Sequence, residues 1–282
     1  MQKLFVKSFD IMHSLCQNPQ KEGIFMQTEG FWVLRPFNPV FLCSFGFFIA
    51  LLIVSSLILR NKSEKTRRTV LCTACVITVI SFFIYKYMLS LDADYRVINS
   101  AMGGFNWWTE LPLNLCNINM ILIPIAVWKR NRALMSFSFF LGQLGALLAL
   151  MMPSNGFSGY SLLLPRMIGF FFTHYMVFIE SIALASFGLF RPTFKDIPKT
   201  LIATVVISLA VFIINVILRK TGLGPKANYF FSVETEGNPV LEIFHGWIPV
   251  PYLFLLPALV VLAIFMSVET FFFTVFGKKK AS

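Results

Sequence analysis

Charge is what this sequence has little of. Asp, Glu, Lys and Arg together make up 13% of 282 residues, about half the share in an ordinary soluble chain. Such a chain could not cover a water-facing surface of its own size. The five cysteines are too few and too irregularly spaced for a disulfide-dense secreted scaffold. A single C-x-x-C, Cys72 and Cys75, lacks the second pair that a zinc site needs, and it lies within an apolar run where packing is its ordinary role. No fixed-period repeat and no low-complexity tract is present, which excludes solenoid, collagen-like and disordered classes.

What is present is apolar bulk. Hydrophobic residues reach 57%, Phe alone numbers 33, and the mean hydropathy is +0.74. Seven continuous apolar runs, at 40 to 59, 70 to 91, 111 to 128, 133 to 152, 166 to 190, 200 to 218 and 249 to 276, are each long enough to cross a bilayer as a helix. They are continuous rather than alternating, and an open strand leaves its backbone unsatisfied in lipid. The expected class is therefore all-α, a polytopic membrane protein with seven transmembrane helices.

The net charge of +11 is explained by topology. The connections after the first, third and fifth spans, with the C-terminal tail, carry fourteen cations against Glu64 and Asp196. The other side carries nine cations and nine acids. This asymmetry predicts an extracytoplasmic N-terminus and a cytoplasmic C-terminus, and it requires no nucleic-acid partner. Residues 1–36 form an extracytoplasmic segment. In it Phe5, Phe9, Met12 and Cys16 follow the spacing of an amphipathic helix on the membrane surface, with a packed cap helix as the alternative. Residues 37–276 form the seven-helix domain, and 277–282 a basic cytoplasmic tail. The two long outer connections, 92–110 and 219–248, are rich in aromatics and turn formers, as functional loops often are.

Polar groups inside the membrane are costly and so mark function. At a rise of 1.5 Å per residue, Asn114 and Cys116 sit roughly 5 to 8 Å below the outer surface and His174 roughly 12 Å below it. Asn117, Asn119, Lys86 and Asn215 fall near the same level, which suggests a cavity opening to the outer leaflet. A thiol needs a base to become a nucleophile, so Cys116 and His174 form a candidate pair, and the Asn114 or Asn117 amide could hold an oxyanion. From spacing alone, close packing remains the ordinary role for a membrane Cys and for a lone His. Lys86 and Arg166 are candidates for a lipid phosphate, with snorkelling to the headgroups as the plain alternative. Glu180 and Glu269 read either as ion-path acids or as paired structural groups. Gly142 and Gly145 read as sites of close helix packing, and His245 as a solvated histidine in the last outer loop.

Several motifs in order carry a resemblance. The segment Glu110-Leu-Pro-Leu-Asn-Leu-Cys116, the run Leu141-Gly-Gln-Leu-Gly-Ala-Leu-Leu-Ala149 and Thr173-His174 are similar to the YwaF-type bacterial integral membrane proteins. So are Arg191-Pro-Thr193, Asn215, Asn228-Tyr229-Phe230, Asn238-Pro239 and Gly246-Trp247-Ile-Pro249. That family resembles the eukaryotic transmembrane-protein-164 group, which is associated with cysteine-dependent transfer of fatty acyl chains between phospholipids. The resemblance implies Cys116 as nucleophile, His174 as base, and Asn215 and Asn228 as further substrate-side positions. It implies phospholipid or lysophospholipid substrates, a bacterial cytoplasmic membrane location, and no metal or cofactor. Two positions depart from the family pattern. Asn114 stands where bacterial relatives carry His, and Phe41 stands where a His opens the first span. A lipid acyltransferase or acyl-ester hydrolase leads; a small-solute transporter or channel, and a noncatalytic receptor or assembly factor, are the alternatives. Oligomeric state is not legible.

Overall fold

The computed structural model describes residues 31–98, 100, 104–153 and 157–278. The expected N-terminal amphipathic helix and most of the basic tail lie outside these residues. The helices are α1 Pro39–Leu59, α2 Glu64–Leu91, the short α3 Ala93–Ile98, α4 Asn117–Lys129, α5 Arg132–Met151, α6 Pro165–Ser186, α7 Asp196–Lys220, α8 Pro239–Trp247 and α9 Leu256–Lys278. No strand occurs among the described residues; one isolated bridge joins Val33 to Ser161.

Among the described residues, six helices are long and apolar enough to cross a membrane. The third of the seven expected runs differs. Its helix, α4, begins at Asn117 rather than at Leu111 and has 13 residues. Pro112 has no N–H to donate, and the Leu111 N–H is taken by the Tyr229 hydroxyl at 2.8 Å, so Glu110–Cys116 forms turns before the helix starts. Other boundaries move less. α2 and α7 start earlier than expected, at Ser63-capped Glu64 and at Asp196, and α6 stops at Ser186. Asn38 caps α1 by accepting from Phe41 N–H at 2.9 Å, with Pro39 in the first turn, and Asn238–Pro239 opens α8 in the same way.

Position in the bundle follows polarity. The apolar helices α1 and α7 are mostly exposed, whereas α6, the least apolar of the six and the bearer of Thr173, His174, Glu180 and Ser181, is mostly buried. Polar side chains are cheapest where other helices can bond to them. Accordingly α6 is the axis, packed against α2, α5, α1 and α4. Across it, Thr78 donates to Glu180 at 2.6 Å. Gly142 and Gly145 permit the close approach of α5: a Cβ on Gly142 would overlap the Ser181 hydroxyl, and one on Gly145 would lie 3.1 Å from Leu115 Cγ. Within α5, Ser138–Gly142 forms a π-turn, an insertion of one residue into the helical register.

The connections sort to two ends. At the basic end, Arg132 holds Asp196 through Nε and Nη2 at 2.7 Å each and donates to the Arg191 carbonyl at 2.9 Å, while Arg67 donates to the Phe187 carbonyl at 2.5 Å. At the other end, Leu34 N–H donates to Tyr160 O and Leu162 N–H to Trp32 O. Asn106 reaches the Leu223 carbonyl there, and the Tyr229 hydroxyl reaches the Trp108 carbonyl.

Candidate functional site

The turns of Glu110–Cys116 deliver Cys116 to the N-terminus of α4, where the partial positive charge of the helix lies. Two turns into α6, His174 meets it: Cys116 Sγ is 3.3 Å from His174 Nε2. The other ring nitrogen, Nδ1, is 2.7 Å from the Phe170 carbonyl. A carbonyl only accepts, so Nδ1 carries the hydrogen and Nε2 presents its lone pair to the thiol. The helix's own backbone thus sets the tautomer that a general base needs. Gly145 of α5 backs the main chain at Cys116, since a Cβ there would come within 3.3 Å of the Cys116 backbone nitrogen.

The pair is buried rather than open to the outer leaflet; Cys116 is 7% and His174 5% exposed. Aromatic rings form its roof. Phe170 lies 4.2 Å from the His174 ring, Phe157 stacks on Phe170 at 4.4 Å, and Tyr85 and Tyr95 flank Phe157. Sequence reasoning passed over Phe157 because it precedes α6 in a short connection with no helical spacing to place it.

The remaining expected residues divide. Asn117 is buried beside the pair and its Oδ1 has no partner among the described residues. Asn114 accepts from Phe230 N–H at 3.3 Å and so ties the turns to the loop between α7 and α8. Asn215 and Asn228 serve that loop instead of facing the thiol. Asn215 donates to Tyr229 O and Ser232 Oγ and accepts from Tyr229 N–H. Asn228 donates to Glu234 O and Glu236 Oε1 and accepts from Val233 and Glu234 N–H. Lys86 is paired with Glu110 at 2.5 Å and lies over the Tyr85 ring. Arg166 bridges both Asp92 oxygens at 3.1 and 2.9 Å and lies over the Tyr160 ring, leaving Nε and Nη2 unpartnered among the described residues. Phe41, the second departure, packs against Phe45 and Tyr175.

Away from the pair, the buried Cys75 and its neighbour Cys72 are free thiols, and Cys72 lies 4.0 Å from the Pro124 carbonyl. Glu269 accepts from Gln143 at 2.5 Å. The His245 ring is edge-on to Phe254. No group of three or more His, Cys, Asp or Glu placed to hold a metal ion occurs among the described residues.

Fold and site together define a multi-pass, all-helical membrane protein with a thiol–imidazole contact in its interior. The chain belongs to the TMEM164 family, whose model matches residues 34–268. No curated protein and no solved structure matches it.

Proposed function

We propose that this protein is a cysteine-dependent lipid acyltransferase or acyl-ester hydrolase of the bacterial cytoplasmic membrane, crossing it seven times with Cys116 and His174 toward the outer leaflet. The observation that supports this reading is the 3.3 Å contact of Cys116 Sγ with an Nε2 whose tautomer is set by Phe170. In the reaction, His174 Nε2 takes the thiol proton as Sγ adds to the ester carbonyl. The Asn117 amide and the first N–H groups of α4 stabilise the oxyanion. Collapse breaks the C–O bond; the lysophospholipid hydroxyl leaves with the proton from His174, and the acyl group remains on Cys116 as a thioester. A second lysolipid hydroxyl, or water, then gives up its proton to His174 and attacks the thioester. That step regenerates the thiol. Asn114 cannot serve as base, which leaves His174 alone in that role. Both cations are paired, Lys86 with Glu110 and Arg166 with Asp92, but Arg166 is the better phosphate partner of the two because its Nε and Nη2 keep no partner among the described residues.

The test offers labelled phospholipid and lysophospholipid to delipidated protein, comparing wild type with Cys116→Ala and His174→Ala. Turnover lost in both variants, with a hydroxylamine-sensitive acyl adduct on wild type, supports the reading. Equal turnover in all three overturns it.

A second reading, passage of a small solute or proton, is favoured by one observation: Glu180 and Glu269 each leave Oε2 unpartnered among the described residues. It requires uptake that survives Cys116→Ala and fails in Glu180→Gln.

A further inference from the structure

The basic end of the bundle contains a cavity of about 580 Å³ that the acyl-transfer reading does not use. Its floor is apolar, made by Ala185 in the last turn of α6, by Leu189 just beyond that helix, and by Phe272 and Phe273 of α9. Its rim is cationic, made by Arg132 and Arg191. Ala185 follows His174 by eleven residues on the same helix, roughly 16 Å along the axis, so the cavity is separate from the thiol.

The two rim arginines differ in what they can do. Arg132 is pinned: its guanidinium is spent on Asp196 and the Arg191 carbonyl and lies 5.2 Å from the Phe190 ring. Arg191 is exposed, and no ion pair among the described residues engages it. A third guanidinium, Arg67, lies against Gly188, whose positive φ of 68° brings the α6 terminus close enough that a Cβ there would sit 2.9 Å from Arg67 Nη1. Asp196 balances one of these three charges. Lys129, Arg130, Lys195 and Lys199, on these connections or in the adjoining helix turns, are all exposed, so the field around the cavity is positive. Phe272 lines the cavity and is half exposed on α9, one of the helices long and apolar enough to cross a membrane.

An apolar floor reached from the hydrocarbon and a cationic rim at headgroup height match one class of molecule. We propose that this cavity binds an anionic phospholipid of the basic-side leaflet, with an acyl chain against Leu189, Phe272 and Phe273 and its phosphate at Arg191. The interaction is independent of acyl transfer, since it concerns neither Cys116 nor His174. Zwitterionic lipid would fill the same floor without the gain at the rim.

Native mass spectrometry of the detergent-solubilised protein tests this, with phosphatidylglycerol and phosphatidylcholine of identical chains, and with glycerol phosphate as the headgroup alone. Wild type is expected to retain phosphatidylglycerol about fivefold more than phosphatidylcholine, the preference one added cation confers. Glycerol phosphate should not compete. Arg191→Gln should bring the preference close to unity and Arg191→Lys should keep most of it. Ala185→Trp, which fills the floor, should lower retention of both lipids. Equal retention of the two lipids by wild type overturns the proposal, as does an undiminished preference in Arg191→Gln. Displacement by glycerol phosphate would also overturn it, by assigning the site to a free anion.

Discussion

Gly145 and Cys116 are in contact through space that a side chain would take: a Cβ on Gly145 would stand 3.3 Å from the Cys116 backbone nitrogen. Backbone cannot give way as a flexible side chain can. Gly145→Ala is therefore expected to push the α4 N-terminus and the thiol away from His174, and Gly145→Val to push it further. The stability cost is about 1 to 3 kcal/mol, as for other overpacked interiors. Lipid turnover should fall by at least tenfold in Gly145→Val while the protein remains folded by size-exclusion chromatography. Unchanged turnover would show that the thiol position tolerates this shift.

The aromatic roof predicts a gating effect. Phe157→Ala removes the ring that stacks on Phe170 above His174, and the exposed face this creates leads to the thiol. Alkylation of Cys116 by a small maleimide should accelerate several-fold over wild type, while the already exposed Cys43 reacts at an unchanged rate. An equal rate at Cys116 in both proteins would place the route of entry elsewhere.

Glu180 separates the two functional readings. Thr78→Val removes the hydroxyl that donates to it and should cost about 1 to 3 kcal/mol, the penalty of stranding a buried acceptor. Glu180→Gln keeps a polar side chain of the same shape and should change the unfolding temperature little. If lipid chemistry is the function, turnover in Glu180→Gln stays within about twofold of wild type, a span of under 0.5 kcal/mol.

The loop between α7 and α8 carries a pH response. Arg219, bonded to Glu234 at 2.7 Å, holds that carboxyl below its ordinary value, while burial pushes the Glu236 carboxyl up. The depressed group stabilises the folded loop above the ordinary carboxylate pKa and loses that contribution as pH falls through its own lower value. The raised group acts in the opposite sense, favouring the fold at low pH and losing that gain as pH rises through its folded value. Limited proteolysis between residues 221 and 238 should therefore speed up as pH falls below about 4. Glu234→Gln should flatten that acid limb, whereas Glu236→Gln should act above it, abolishing the gain in protection that wild type acquires as pH falls toward the ordinary carboxylate value.

How much of this was legible differs by residue. The charge sort grouped Arg67, Arg132, Arg191 and Asp196 without regard to contact, and they do share one end. That follows because connection parity depends only on counting runs. Depth along a helix is likewise linear in sequence, so Cys116 and His174 could be placed at one level. Their azimuth could not, because it depends on packing around α6. The start of α4 was misread because hydropathy is blind to hydrogen bonding: Leu111, Leu113 and Leu115 count as apolar whether or not their N–H groups are helical. Pro112 and Asn114 were the available signals. The pairing of Lys86 with Glu110, and of Arg166 with Asp92, was hidden because each joins segments far apart in the chain.

The π-turn at Ser138–Gly142 makes α5 a register lock between the two ends of the molecule. Its extra residue rotates everything after it by about 100° relative to an uninterrupted α-helix. Upstream of it Arg132 grips Asp196; downstream Gln143 meets Glu269 and Gly145 meets Cys116. Deleting one residue from this turn would restore an ordinary helix and conserve composition almost entirely. Yet it would swing Gly145 away from the Cys116 backbone, turning the whole downstream half of the helix at once, which no single substitution in α5 does.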